Sequence, residues 1–138
     1  VITASTATAI RHPHQGEHIP EAAWPSFAAC IDPEWAWVAV DEDDRVVATL
    51  LTAPAHGLVM LLRLWAAPGT SPHWLRKLLR QGAKECYARG QRVWVVMLMA
   101  GSSTELRLAR LALHHKGTPT SFQGFVYAGS LEDVCRHS

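Results

Sequence analysis

The stretch that decides the fold is LLRLWAAPGTSPHWLRKLLRQGAKECYARGQRVWVVML, residues 61–98. It begins in the apolar run Val59–Ala66 and breaks at Pro68-Gly69-Thr70-Ser71-Pro72. It then takes up a helical rhythm. Leu75, Leu78, Leu79, Gly82 and Cys86 recur at the spacing of one buried helix face, with Arg76, Lys77, Arg80, Lys84 and Glu85 lying mostly outside it. Ser71 is a capping residue, Pro72 suits the first helical position and Gly90 ends the helix. The nearly unbroken apolar run Arg92–Met99 follows, as expected of a central strand covered on both faces. Strand, helix, strand in this order is a βαβ unit, with parallel strands and a right-handed crossover.

Working outward, Trp35–Val40 and Arg45–Ala53 read as strands joined through the acidic turn Asp41-Glu42-Asp43-Asp44, an antiparallel hairpin. Pro54–Gly57 breaks the pattern before the strand at Val59. Downstream, a second helix starts at Ser102 or Ser103, presents Leu106, Ala109 and Leu113, and ends at Gly117. Ser121–Ala128, interrupted by Gly124, reads as the last strand. Upstream, Val1–Ile10 predicts a first strand, and the prolines between residues 11 and 34 leave room only for short helices, one around Glu21–Cys30. The expectation is one α/β domain over residues 1–138, a mixed sheet with helices around it.

Bulk composition narrows the function classes. Net charge is +1 with eight histidines, so no field of one sign is available to attract nucleic acid or an anionic membrane. No apolar run approaches the roughly 20 residues that span a bilayer. Cys30, Cys86 and Cys135 are odd in number and form no CxxC pair, which predicts a reducing, cytoplasmic setting without disulfides or a zinc knuckle. His12, His14 and His18 lack a matching Cys or carboxylate set and read as a polar loop, and Asp41–Asp44 as a solvated turn, so no metal is expected. His114-His115 sits at a helix C-terminus, where cationic side chains are favoured. Six tryptophans (Trp24, Trp35, Trp37, Trp65, Trp74 and Trp94) are many for this chain. They predict that some are exposed, marking a groove or a surface for a protein partner or self-association.

The element order, together with residues 61–98, resembles the GNAT superfamily of acetyl-CoA-dependent N-acetyltransferases over about residues 35–129. The resemblance implies a sheet whose two parallel strands splay to hold the pantetheine of acetyl-CoA, with the pyrophosphate on amides at the helix start. On this chain Ala66, Gly69, Thr70 and Ser71 would line the pyrophosphate site, Arg76 and Lys77 would lie one turn into the helix, and Leu64 and Trp65 would offer backbone to the pantetheine. The loop departs from the family pattern by having one glycine and a proline, Pro72, that has no N–H. Leu113 stands where the family places a tyrosine acid, leaving His114 as the best available acid, and the strand Val59–Ala66 carries no carboxylate base. Three functions follow: an N-acetyltransferase; a GNAT-fold structural or assembly component without turnover, for example of a phage particle; or a binding module for a CoA-like ligand or peptide.

Overall fold

The computed structural model describes residues 7–19, 32–98, 118–122 and 124–137. Seven strands form one sheet: β1 (Ala9–Arg11), β2 (Ala36–Val40), β3 (Val46–Ala55), β4 (Leu58–Ala66), β5 (Val93–Leu98), β6 (Thr118–Phe122) and β7 (Gly124–Ser130). Their order in the sheet is β1-β2-β3-β4-β5-β7-β6. Only β4 and β5 pair in parallel; the other neighbours are antiparallel. Helix α1 (Pro72–Ala88) makes the crossover between β4 and β5, and a short helix α2 (Leu131–His137) follows β7. The expected βαβ unit and mixed sheet are therefore present. Of the predicted first strand Val1–Ile10, Ala9 and Ile10 lie in β1, and residues 1–6 lie outside the described part of the chain. The helices expected around 21–30 and 102–117 also lie outside the described residues.

Local chemistry explains the turns. Asp41 is buried, 4% exposed, and its Oδ1 accepts the amides of Asp43 and Arg45, each at 2.9 Å. The expectation of a wholly solvated acidic turn is corrected here: Asp41 is the internal acceptor that shapes the β2–β3 hairpin. The β3–β4 turn is His56-Gly57, both in the left-handed region at φ 48° and 87°, the pattern of a two-residue hairpin matched to strand twist. Pro54 does not break the strand as expected but lies inside β3, opposite Val59. β2 stops opposite Leu51, so the side of β3 that would need the proline's missing N–H carries no strand.

Helix α1 packs its predicted stripe onto the sheet: Leu75, Leu78, Gly82, Ala83 and Cys86 are buried. At Gly82 the helix lies close against the strands; a Cβ there would sit 2.5 Å from Leu50 Cδ2 and 3.3 Å from the Trp37 ring. Glu85 ties three elements together. Its carboxylate accepts from the Trp37 indole N–H and from Gln81 Nε2, and it lies 3.3 Å from His12 Nε2. His12 Nδ1 donates to the Ala36 carbonyl at 2.8 Å, whereas His14 lies near Asp44, so these histidines serve different partners.

Three expectations need revision. β5 is not evenly covered: Trp94 and Val96 are buried, Val95 is half-buried and Val93 is 41% exposed. Among the described residues both α1 and α2 lie on the face of Trp94 and Val96, which explains the alternation. The predicted final strand is two strands, with Phe122 paired to Gly124 across a tight reversal. Among the described tryptophans none is exposed. Trp37 and Trp94 are buried, and Trp35, Trp65 and Trp74 are half-buried. Arg89 lies 4.7 Å over Trp35 and Lys77 4.6 Å over Trp74, so cations already cover two of these rings. Trp24 lies outside the described residues, and the partner surface expected from the tryptophans is not tested by the burial of the others.

Two stability predictions follow from this packing. Gly129 lies opposite Trp94, and a Cβ on it would fall 2.6–2.8 Å from three atoms of the rigid indole. Gly129→Ala is expected to lower the urea midpoint by the equivalent of about 1–3 kcal/mol, with Trp94→Leu in the same background recovering part of the loss. Glu17 accepts Arg11 Nη2 at 2.6 Å, Arg11 Nη1 at 2.9 Å and the His14 amide at 2.9 Å. The Arg11 hydrogen bonds hold its carboxyl below the ordinary 4.5, against the opposing effect of burial. A depressed folded value stabilises above the unfolded one and is lost as pH falls through the folded one. The thermal-stability advantage of the wild type over Glu17→Gln should therefore be full above pH 4.5 and vanish on further acidification.

Candidate functional site

The site begins with one extra residue in β4. Leu51 pairs with Arg63 and Thr52 pairs with Leu61, so Leu62 is a bulge with no counterpart on β3. A bulge bends its strand and increases its twist. At the same point β4 loses its other neighbour. The parallel ladder runs from Leu58↔Val93 to Leu61↔Val96 and ends, although β4 continues to Ala66 and β5 to Leu98. The sheet is split between β4 and β5 over residues 62–66.

The alternation of an antiparallel ladder says which backbone groups face the split. Ala67 N donates to Val47 O at 2.8 Å, which makes Ala67 and Val47 a hydrogen-bonded pair. Counting back along β4, Trp65 and Arg63 bond to β3, whereas Ala66 and Leu64 turn their N–H and C=O the other way, into the split. Of Leu64 and Trp65, Leu64 turns its backbone groups toward the split and Trp65 pairs with Thr49. Ala66, expected at the pyrophosphate, is the second slot-facing position.

Beyond Ala66 the chain turns into α1. Ala67-Pro68-Gly69-Thr70 closes with Thr70 N donating to Ala67 O at 3.0 Å, Pro68 at its second position and Gly69 at φ 86° in its third. This is a type II turn, and it explains the single glycine. Ser71 caps the helix, its Oγ accepting the His73 amide at 3.3 Å, and the Trp74 amide donates to Ser71 O at 3.0 Å. The amides of Thr70, His73 and Trp74 are thus used within the loop and Pro72 has none, leaving those of Gly69 and Ser71 without a partner among the described residues. Arg76 and Lys77 are exposed one turn further on.

Next to the split at Leu64, between the sheet and the two helices, lies a partly open chamber of about 40 Å³. Its wall includes Val59, Leu61 and Leu64 of β4, Trp94 and Val96 of β5, and residues of α1 and α2. The Trp94 indole N–H is buried without a hydrogen-bond partner. Thr52, also on the wall, donates its hydroxyl to Trp35 O at 2.6 Å.

No protein-family model matches the sequence, and no curated protein matches it either. Solved structures do share its architecture. The GNAT family N-acetyltransferase YhbS from Escherichia coli, in complex with CoA, superposes with a TM-score of 0.57 at 14% identity, over 99% of this chain and 89% of that one. The PaiA N-acetyltransferase from Thermoplasma acidophilum, in complex with coenzyme A, gives 0.58 at 15% identity over 69% of this chain and 59% of that one. An acetyltransferase of the GNAT family from Staphylococcus aureus gives 0.52 at 14% identity, over 70% and 66%. The chain has the GNAT fold.

Within that fold the predicted residues fall on two neighbouring features. Leu64 and Ala66 line the split, while Gly69, Thr70, Ser71, Arg76 and Lys77 surround the start of α1. His114, the predicted acid, lies outside the described residues. Sequence reasoning missed Leu62, because a bulge leaves no mark in an apolar run. It also missed α2, whose Leu131 and Val134 wall the chamber. Among the described residues no group of three His, Cys, Asp or Glu side chains is placed to hold a metal. No described helix is long and apolar enough to cross a membrane.

Cys86 also lines the chamber, and burial pushes its thiol up to about 11, against smaller opposing effects of Arg89 and a hydrogen bond with Thr52. Burial raises Cys135 as well. Since the thiolate is the reactive form, iodoacetamide at about pH 8 is expected to leave Cys86 unlabelled in the folded chain and to label it in urea, as read by peptide mass mapping.

Proposed function

We propose that the chain binds acetyl-CoA in the split between β4 and β5 and transfers its acetyl group to an amine. The single observation behind this reading is the pair of unladdered residues, Leu64 and Ala66, whose backbone groups face an opening between two parallel strands. Extended ligands with amide groups are recognised by such free strand backbone, which supplies a donor and an acceptor at alternate residues. The shared fold of proteins crystallised with CoA supports the same reading.

Bound there, acetyl-CoA supplies an acetyl group activated as a thioester. The Leu64 amide is a fixed donor for a carbonyl oxygen, and a donor held in place before reaction stabilises negative charge developing on that oxygen. Gly69 and Ser71 retain amides for a phosphate oxygen at the positive end of α1, and Arg76 and Lys77 add charge beside it. His114 is the acid the sequence offers for the departing thiolate, and water takes the proton of the attacking amine. The acceptor is an amine free to approach the split.

One observation favours a second reading, a GNAT-fold structural or assembly component without turnover. The loop at the start of α1 spends three of its amides on itself and has a proline at a fourth position, which weakens its grip on a pyrophosphate.

Calorimetry with acetyl-CoA separates the two. The first reading expects micromolar binding to the wild type. It also expects Arg76→Glu, an exposed helix substitution, to weaken binding about tenfold at low salt, with the difference shrinking as salt rises. Absence of binding at millimolar acetyl-CoA would overturn it and leave the assembly reading.

A further inference from the structure

We infer that the chamber next to the split receives the acyl chain of the donor, so that the preferred donor is a CoA thioester with a short aliphatic acyl group longer than acetyl. This rests on the proposed CoA site and specifies its substrate class. Three observations carry it.

The first is continuity. Leu64, whose amide faces the split, also lines the chamber, and Leu61 and Val96, the last laddered pair before the strands part, both stand on its wall. A chain entering from the slot therefore meets the chamber directly.

The second is chemistry. Beside these three residues the wall includes Leu79 and Ala83 of α1 and Val134 of α2, all apolar. The Trp94 N–H is buried and unpartnered, while the Thr52 hydroxyl is already spent on Trp35 O. A buried water needs about two to four polar partners, and apolar cavities that lack them stay dry and accept apolar ligands. The Cys86 thiol, also on the wall, is paired with Thr52. That leaves the Trp94 N–H as the one unpartnered donor on the described wall, too few for a buried water, so hydrocarbon suits this space better than solvent.

The third is size. A water-sized group needs about 10–15 Å³ of this kind of space, so a chamber of about 40 Å³ has room for about three such groups. A methylene is of similar size. With the acyl carbonyl held at the split, two or three carbons beyond it fit, which points to acyl groups near butyryl and excludes long fatty chains.

The test is calorimetry on the full chain with acetyl-CoA, butyryl-CoA and octanoyl-CoA, repeated on Ala83→Leu, which fills the chamber, and Leu79→Ala, which enlarges it. Circular dichroism checks that each variant folds. Burying two further methylenes is expected to make butyryl-CoA bind about tenfold tighter than acetyl-CoA in the wild type. Octanoyl-CoA should gain nothing more. Ala83→Leu should erase the butyryl advantage while acetyl-CoA still binds, and Leu79→Ala should shift the optimum to a longer chain. Should Ala83→Leu fail to fold, the shift in Leu79→Ala decides. Equal binding of acetyl-CoA and butyryl-CoA overturns the chamber assignment but leaves the CoA site standing. A butyryl preference unmoved by both folded variants overturns it as well. If no thioester binds, the CoA site falls and the chamber assignment with it.

Discussion

One surplus residue in β4 governs the layout of this domain. Leu62 has no partner on β3, and the bulge it makes turns the second half of β4 away from β5. Had the ladder continued, Leu64 and Ala66 would have spent their amides and carbonyls on β5. Because it does not, two backbone donors and two acceptors at the centre of the sheet are without a partner among the described residues. An unsatisfied backbone group inside a fold is costly, so a gap of this kind persists only where something else meets the need. That cost is the physical argument for the proposed ligand site beside the bulge.

The rest of the chain holds this gap in place. Gly82 lets α1 lie close against Leu50 and Trp37, which fixes the helix across β2, β3 and β4. Glu85 then fastens the far end of α1 to Trp37 and to His12 of the N-terminal segment. On the other side of the split, Gly129 leaves space for the Trp94 indole, and Leu131 and Val134 of α2 close the core beside it. The two strands that part are thus held by different neighbours within one continuous core. The gap between them is a product of rigid neighbours, which suits a binding slot better than loose loops would.

The start of α1 is chemically less generous than the split. A helix N-terminus attracts anions through free N–H groups, and here most of those groups are consumed by the type II turn and the Ser71 cap. Whatever phosphate affinity the loop has must lean on Gly69, Ser71 and the charges of Arg76 and Lys77. The balance between a good slot and a frugal loop is what separates a working transferase from a domain that kept the fold alone, since fold does not establish function.

Much of this architecture was legible in residues 35–98, where periodicity, caps and turn residues agree with one another. The stripe Leu75, Leu78, Gly82 and Cys86, the Ser71 cap and the hairpin around Asp41 are local matters, decided by spacing and by side chains acting on their own backbone. Pro54 misled because a proline's cost depends on whether a strand lies beside it, and that is settled elsewhere in the chain. Phe122 and Gly124 misled because one glycine in an apolar run marks a pause or a reversal with equal ease. The split and the Leu64 backbone were expected only through the family resemblance, and the bulge at Leu62 and the chamber left no trace in the residue pattern. Each arises from register between segments far apart in the chain: a residue-by-residue pattern determines which side chains seek the core, and only the pairing of whole strands decides where backbone is left unpaired.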